Sequence, residues 1–137
     1  MTSLLHTLHR AKQAADAAFE DNSPYVTTSQ MLVLRAISED DDQSQTDIVA
    51  RTGIDRSTAA EVVRRLVDRG FVARRRTQHD ARRYALRLTD RGLALMTAST
   101  QAAAATETAL LAVLTAAERK AVLGSLAKIA AVTKERV

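Results

Sequence analysis

Residues 44–70 read SQTDIVARTGIDRSTAAEVVRRLVDRG, and this stretch decides the fold. Ser44 or Thr46 can cap a short helix that runs through Asp47, Ile48, Val49, Ala50 and Arg51. Gly53 ends it, as a residue free to take a positive φ does. Ile54 is expected as a buried plug in the turn, and Asp55 as the cap of the next helix. That helix runs from about Arg56 to Arg69, with Ala59, Val62, Val63 and Leu66 facing inward, and Gly70 ends it. Two short helices joined by a glycine-containing turn form a helix-turn-helix, whose second helix enters the DNA major groove.

Beyond Gly70 the hydrophobic period falls from 3.6 to 2. Phe71–Arg76 reads as a strand and Arg83–Leu88 as its partner, joined by the hairpin tip Thr77-Gln78-His79-Asp80-Ala81-Arg82. A hairpin directly after a recognition helix is a wing. Thr89 then caps a long alanine-rich helix to about Val113. A Thr115…Glu118 capping box opens a last helix with Ala121, Val122, Leu126, Ile129 and Ala130 on one stripe.

Towards the N-terminus, residues 3–20 place Leu4, Leu5, Leu8, Ala11, Ala15, Ala18 and Phe19 on one helical stripe, ended by Asp21-Asn22-Ser23-Pro24. Thr27 and Gln30 form a capping box for a helix that carries Met31, Leu34 and Ile37. Ser38-Glu39-Asp40-Asp41-Asp42 reads as an exposed acidic loop that serves solubility. The expected fold is mainly α with a small β-wing. It is one domain over residues 1–137, a winged helix-turn-helix core at about 27–89 between terminal helices at about 3–20 and 90–135.

Of the 137 residues 46% are hydrophobic but only 3% aromatic, and 26 are alanine. Alanine buries little apolar surface, so a lone protomer has a thin core and two chains are expected to share one. With no cysteine in the chain, a disulfide framework, thiol catalysis and thiolate metal sites are excluded. No run reaches the roughly 18 apolar residues of a membrane span. Met1-Thr2-Ser3-Leu4 also lacks the basic start of a signal peptide, so a cytoplasmic protein is expected.

The net charge of +4 is unevenly spread. Residues 1–50 carry −5, residues 51–91 carry +7 and residues 92–137 carry +2. The middle block has twelve arginines and no lysine. Arginine is the residue suited to bidentate guanine and phosphate contacts and to narrow minor grooves. The exposed face of the second short helix offers Arg56, Ser57, Thr58, Ala60, Glu61, Arg64 and Arg65. Glu61 either reads a base, as glutamate accepts from cytosine N4, or partners Arg64 or Arg65.

At the wing, Arg74, Arg75, Arg76, Arg82 and Arg83 crowd one hairpin, which is unfavourable unless an anion is near. Asp80 sits where it can hold Arg82 extended for insertion into a minor groove. His6 and His9 stand three apart on the first helix, but nothing nearby completes a metal set. Ser57, His79 and Asp80 lack the nucleophile elbow and oxyanion glycines of a hydrolase, so no enzyme, cofactor or metal is expected.

The run Asp80-Ala81-Arg82-Arg83-Tyr84-Ala85-Leu86-Arg87-Leu88-Thr89-Asp90-Arg91-Gly92 resembles the D-x-R…L-x-L-T-x-x-G signature of the MarR family of bacterial transcriptional regulators. Asp47 through Thr58 resembles that family's helix-turn-helix, and Leu66 through Arg74 its link from recognition helix to wing. Val26 through Gln30, with Leu34, resembles its opening L-T-x-x-Q-x-x-x-L. The resemblance implies a homodimer joined through the terminal helices, with Leu4, Leu5, Leu8, Ala11, Val122, Leu126 and Ile129 at the interface. It implies a repressor of a pseudo-palindromic operator in double-stranded DNA, relieved by a small-molecule inducer. Arg82 then matches the minor-groove arginine and Asp80 its support, while Ala60 and Glu61 depart from the family's usual polar and basic residues. An inducer pocket between the dimerisation helices and the winged core is expected to be bordered by Phe19, Tyr25, Met31 and Arg35. The competing reading is a winged-helix protein-interaction module that binds no operator and meets an acidic partner through its arginines.

Overall fold

The computed structural model describes residues 3–23, 25–76 and 84–132. Along the chain run α1 (Leu4–Asn22), α2 (Thr28–Glu39), α3 (Gln45–Thr52), α4 (Arg56–Asp68), β1 (Val72–Arg76), β2 (Tyr84–Leu88), α5 (Asp90–Leu111) and α6 (Ala116–Val132). The strands pair antiparallel, with Val72 opposite Leu88, Arg74 opposite Leu86 and Arg76 opposite Tyr84.

Short-range chemistry sets the helix starts. At α2 the Gln30 amide donates to Thr27 Oγ1 (3.2 Å) and the Thr27 amide to Gln30 Oε1 (3.0 Å). At α3 Ser44, not Thr46, is the cap, and its box closes on Asp47 at 2.8 and 3.2 Å. The Thr115–Glu118 box opens α6 in the same way. Arg119 Nε then turns back to donate to the carbonyls of Leu111 and Leu114, covering acceptors that the end of α5 leaves open.

The winged core closes around Val33, Leu34, Ile37, Ile48, Val63, Leu66, Phe71, Val72 and Leu86. A second cluster, Phe19, Val26, Met31 and Ala103, joins α1 and α2 to α5. Ile54 packs on the first cluster but stays half-buried, so it rims the core instead of plugging it. Phe71 is buried, whereas Tyr84 is exposed beneath Arg76, whose guanidinium carbon lies 5.8 Å from the ring centre.

The acidic run is exposed, as expected, but three of its carboxylates are ion-paired. Glu39 is still in α2 and, with Asp40, grips Arg51 of α3 at 2.7 and 2.6 Å. Asp42, at a left-handed φ of 59°, holds Arg87 of β2 at 3.0 Å. Beside it Gln43 is buried, and its Nε2 donates to the carbonyls of Ala36 (2.6 Å) and Asp40 (3.1 Å) at the end of α2. The Gln43 carbonyl accepts from the Leu86 amide (2.8 Å), which adds a one-residue bridge to the edge of the wing. This segment therefore ties α2, α3 and the wing together.

Candidate nucleic-acid interface

Helix α4 is held from behind and presented from its front. Ala59, Val63 and Leu66 are fully buried and Val62 nearly so, leaving Arg56, Ser57, Thr58, Glu61, Arg64 and Arg65 exposed. Gly53 takes φ 74° at the end of α3, which turns the chain into the start of α4.

Asp55 then shapes the N-terminus of α4. Its Oδ2 accepts from the Thr58 amide (3.0 Å) and the Ser57 hydroxyl (2.8 Å). The Thr58 side chain and amide, followed by the Ser57 hydroxyl, hold its carboxyl down at about 2. Ser57 spends its proton on Asp55, so its remaining capacity towards DNA is as an acceptor. Arg56 and the partial positive charge of the helix start face outward beside it.

One turn on, Glu61 is the hub of an ion-pair cluster. Its Oε1 accepts from Arg64 Nη2 (2.6 Å) and Arg65 Nε (2.9 Å), and its Oε2 from Arg64 Nε (3.1 Å). Arg64 also reaches Asp68 at 3.1 Å. The Arg64 and then the Arg65 hydrogen bonds pull the Glu61 carboxyl to about 2, so it is ionised throughout the neutral range. Of the two roles open to Glu61 from sequence, the structure displays the arginine partner.

In the wing, Arg74 and Arg76 share one face of β1 and Arg75 takes the other, all exposed. Asp80, Arg82 and Arg83, together with His79, lie outside the described residues. Two arginines that carried no sequence signal act at the base of the wing: Arg69 and Arg91 approach the Phe71 ring at 5.2 and 4.8 Å. Arg91 Nη1 also donates to the Arg69 carbonyl (3.1 Å), pinning the end of α4 to the start of α5.

The apolar stripe of α6 and the N-terminal part of that of α1 face outward, while Phe19 at the other end of α1 turns into the core. Leu4, Leu5, Leu126 and Ile129 are exposed, Ala11 likewise, and Leu8 and Val122 are half-buried. No residue of α6 is buried within the protomer. Of the residues expected at an inducer pocket, Phe19 and Met31 line a cavity of about 110 Å³ with Thr28, Ala103, Thr106 and Leu110, between α1, α2 and α5. Tyr25 instead borders an open groove with Arg69, and Arg35 is exposed on α2 away from both. Among the described residues no helix is long and apolar enough to cross a membrane, and no three His, Cys, Asp or Glu gather as for a metal ion.

A supported recognition helix followed by an arginine-bearing hairpin defines a winged helix-turn-helix DNA-binding protein. A sequence model of the MarR family matches residues 26–83. The HTH-type transcriptional repressor NicR of Pseudomonas putida is 30% identical over 126 residues, covering 90% of this chain and 80% of that protein. The chain belongs to the MarR family. Among solved structures, Bordetella bronchiseptica BpsR, whose DNA binding is regulated by 6-hydroxynicotinic acid, superposes with a TM-score of 0.88. It is 31% identical, with 93% of each chain covered. The repressor CouR bound to a 23-mer DNA duplex has a TM-score of 0.85 and 30% identity, with 93% of this chain and 92% of CouR covered.

Proposed function

We propose that the chain is a homodimeric transcriptional repressor of a pseudo-palindromic operator, released by a small-molecule ligand. The observation that carries this reading is the outward face of α4, a capped helix start with arginines and hydroxyls beside an arginine-rich strand. Arg56, Ser57, Thr58, Glu61, Arg64 and Arg65 meet the major groove. Arg74, Arg76 and Arg83 follow the phosphate backbone, and Arg82, supported by Asp80, enters the minor groove. The apolar stripes of α1 and α6 close the dimer, which sets the spacing of two recognition helices. The reading includes no catalytic step, and the protein acts where the chromosome is, in the cytoplasm.

The cavity behind Phe19 and Met31 joins the winged core to α5, so a ligand there acts on the angle between recognition helix and dimer base. At about 110 Å³ it suits a single-ring compound, and Thr28, Asp16 and Glu107 put polar groups at its edge. The test is selection of bound duplexes from a random pool, followed by titration of the complex with 6-hydroxynicotinic acid and other single-ring compounds. Enrichment of an inverted repeat and its release by one such compound is the expected result. Failure to enrich any duplex at physiological salt refutes the repressor reading and favours a protein partner. Filling the cavity by Met31→Trp should abolish release while leaving operator binding intact.

A further inference from the structure

Glu61 is a carboxylate on a helix face otherwise built for a polyanion. It engages two guanidiniums at once, Arg64 through both of its oxygens and Arg65 through one. Asp68 takes a further Arg64 nitrogen at 3.1 Å, so Arg64 lies between two acids. All four side chains are about half exposed or more, so water competes for these bonds and DNA can break them. Arg56 and Arg74, by contrast, make no ion pair with an acid among the described residues. Among the described residues the cationic face is thus of two kinds, arginines with no acid beside them and arginines withheld by Glu61.

Phosphate contacts are independent of sequence, and each raises affinity for every duplex alike. A carboxylate at the same face repels phosphate everywhere. Once its arginines turn to phosphates, it is satisfied again only where a base edge donates to it, as the cytosine N4 amine does in the major groove. We propose that Glu61 is a specificity-determining residue: it withholds Arg64 and Arg65 from phosphates on random DNA and yields them where a cytosine amine takes their place.

This inference rests on the DNA-binding reading, and its test separates the two. Wild-type protein, Glu61→Gln and Glu61→Asp are titrated with the selected operator and with a random duplex of equal length, between about 50 and 300 mM salt. In Glu61→Gln each arginine that gains a phosphate should steepen the random-duplex slope of log K against log salt by about 0.9. At 0.1 M salt that slope corresponds to roughly eightfold tighter random binding per arginine. Operator binding should gain less, so the ratio of operator to random affinity should fall, by up to about eightfold for each arginine released. Glu61→Asp keeps the charge and should restore most of the ratio. Unchanged random binding in Glu61→Gln, or an equal gain on both duplexes, would overturn the inference while leaving the repressor reading standing. Wild-type protein that prefers no duplex would overturn the repressor reading itself. A melting temperature within about 2 °C of wild type excludes a folding defect in the variants.

Discussion

Gly92→Ala tests how the dimer base is joined to the DNA-binding core. A Cβ at Gly92 would stand 1.9 Å from the Phe71 carbonyl oxygen and 2.9 Å from its carbon. Both are backbone atoms, with no side chain to swing aside. Relief to 3.0 Å requires α5 and the Phe71 backbone to part by about 1.1 Å. The Thr89 amide donates to that same Phe71 oxygen (3.1 Å), and Thr89 Oγ1 donates to the Gly70 carbonyl (2.7 Å). Parting the backbones strains both bonds. Overpacking costs about 1–3 kcal/mol, and a buried acceptor left unpaired about 1–3 more. The better helix propensity of alanine offsets about 0.5–1 kcal/mol. The net is a loss of about 3 kcal/mol, or roughly 12 °C in melting temperature for a chain of this size. Calorimetry on the purified variant measures it, with Gly53→Ala alongside. At Gly53 a Cβ meets nothing within 4 Å and only the left-handed φ of 74° opposes it, so about 1–2 kcal/mol is expected. Operator affinity should fall with Gly92→Ala as well, because the displaced α5 leads from the wing to α6, whose apolar stripe closes the proposed dimer. A Gly92→Ala melting temperature within about 2 °C of wild type, or a smaller loss than that of Gly53→Ala, would refute the reasoning.

Asp55→Asn should keep the α4 cap but remove its titration, since asparagine caps as well as aspartate. The Asp55 carboxyl titrates at about 2 against an ordinary 3.8, so its stabilisation is complete above 3.8 and lost as the pH falls through about 2. The variant's melting temperature should therefore fall less steeply than wild type between about pH 5 and pH 2, and parallel curves would contradict the assignment. Ile48→Ala empties a position with no exposure at the centre of the winged core and should cost about 2–5 kcal/mol in urea unfolding. Leu126→Glu places a charge on the apolar face of α6 and should give a folded monomer by sedimentation, with operator affinity down by more than about tenfold. A dimer that still binds the operator would remove Leu126 from the interface.

Much of the fold was legible because its determinants lie within a few residues of one another. The Thr27–Gln30 and Thr115–Glu118 boxes, the Asp55 cap and the left-handed Gly53 each act inside one helical turn, and each was readable from spacing. The recognition helix was readable for the same reason, since burial of Ala59, Val62, Val63 and Leu66 follows the helical period and leaves the arginines outside. The run from Ser38 to Asp42 is exposed, as its composition implied, but its ion pairs were not legible because the partners, Arg51 and Arg87, are distant in sequence and meet it only after α3 and the wing have packed. Buried Gln43 gave no signal, since a glutamine in a polar run reads as solvent-exposed until the end of α2 closes over it. Phe19 and Met31 share a cavity whereas Tyr25 and Arg35 do not, a difference set by how α1 and α5 lie on α2.

The sequence by itself determined the order and kind of the elements, their caps, the arginine-rich block that faces outward and the family to which the chain belongs. Caps and periodicities are local free energies, already biased in the unfolded chain, so they can be read without knowing what lies across from them. Tertiary structure alone decided that Gly92 must be glycine, because the constraint is the backbone of Phe71, 21 residues earlier. It also decided that Arg69 and Arg91 meet on one ring, while the choice of Glu61 between the two roles open to it fell to side-chain rotamers within α4. Those outcomes depend on side-chain rotamers and on contacts between remote segments. Only the packed chain selects among them.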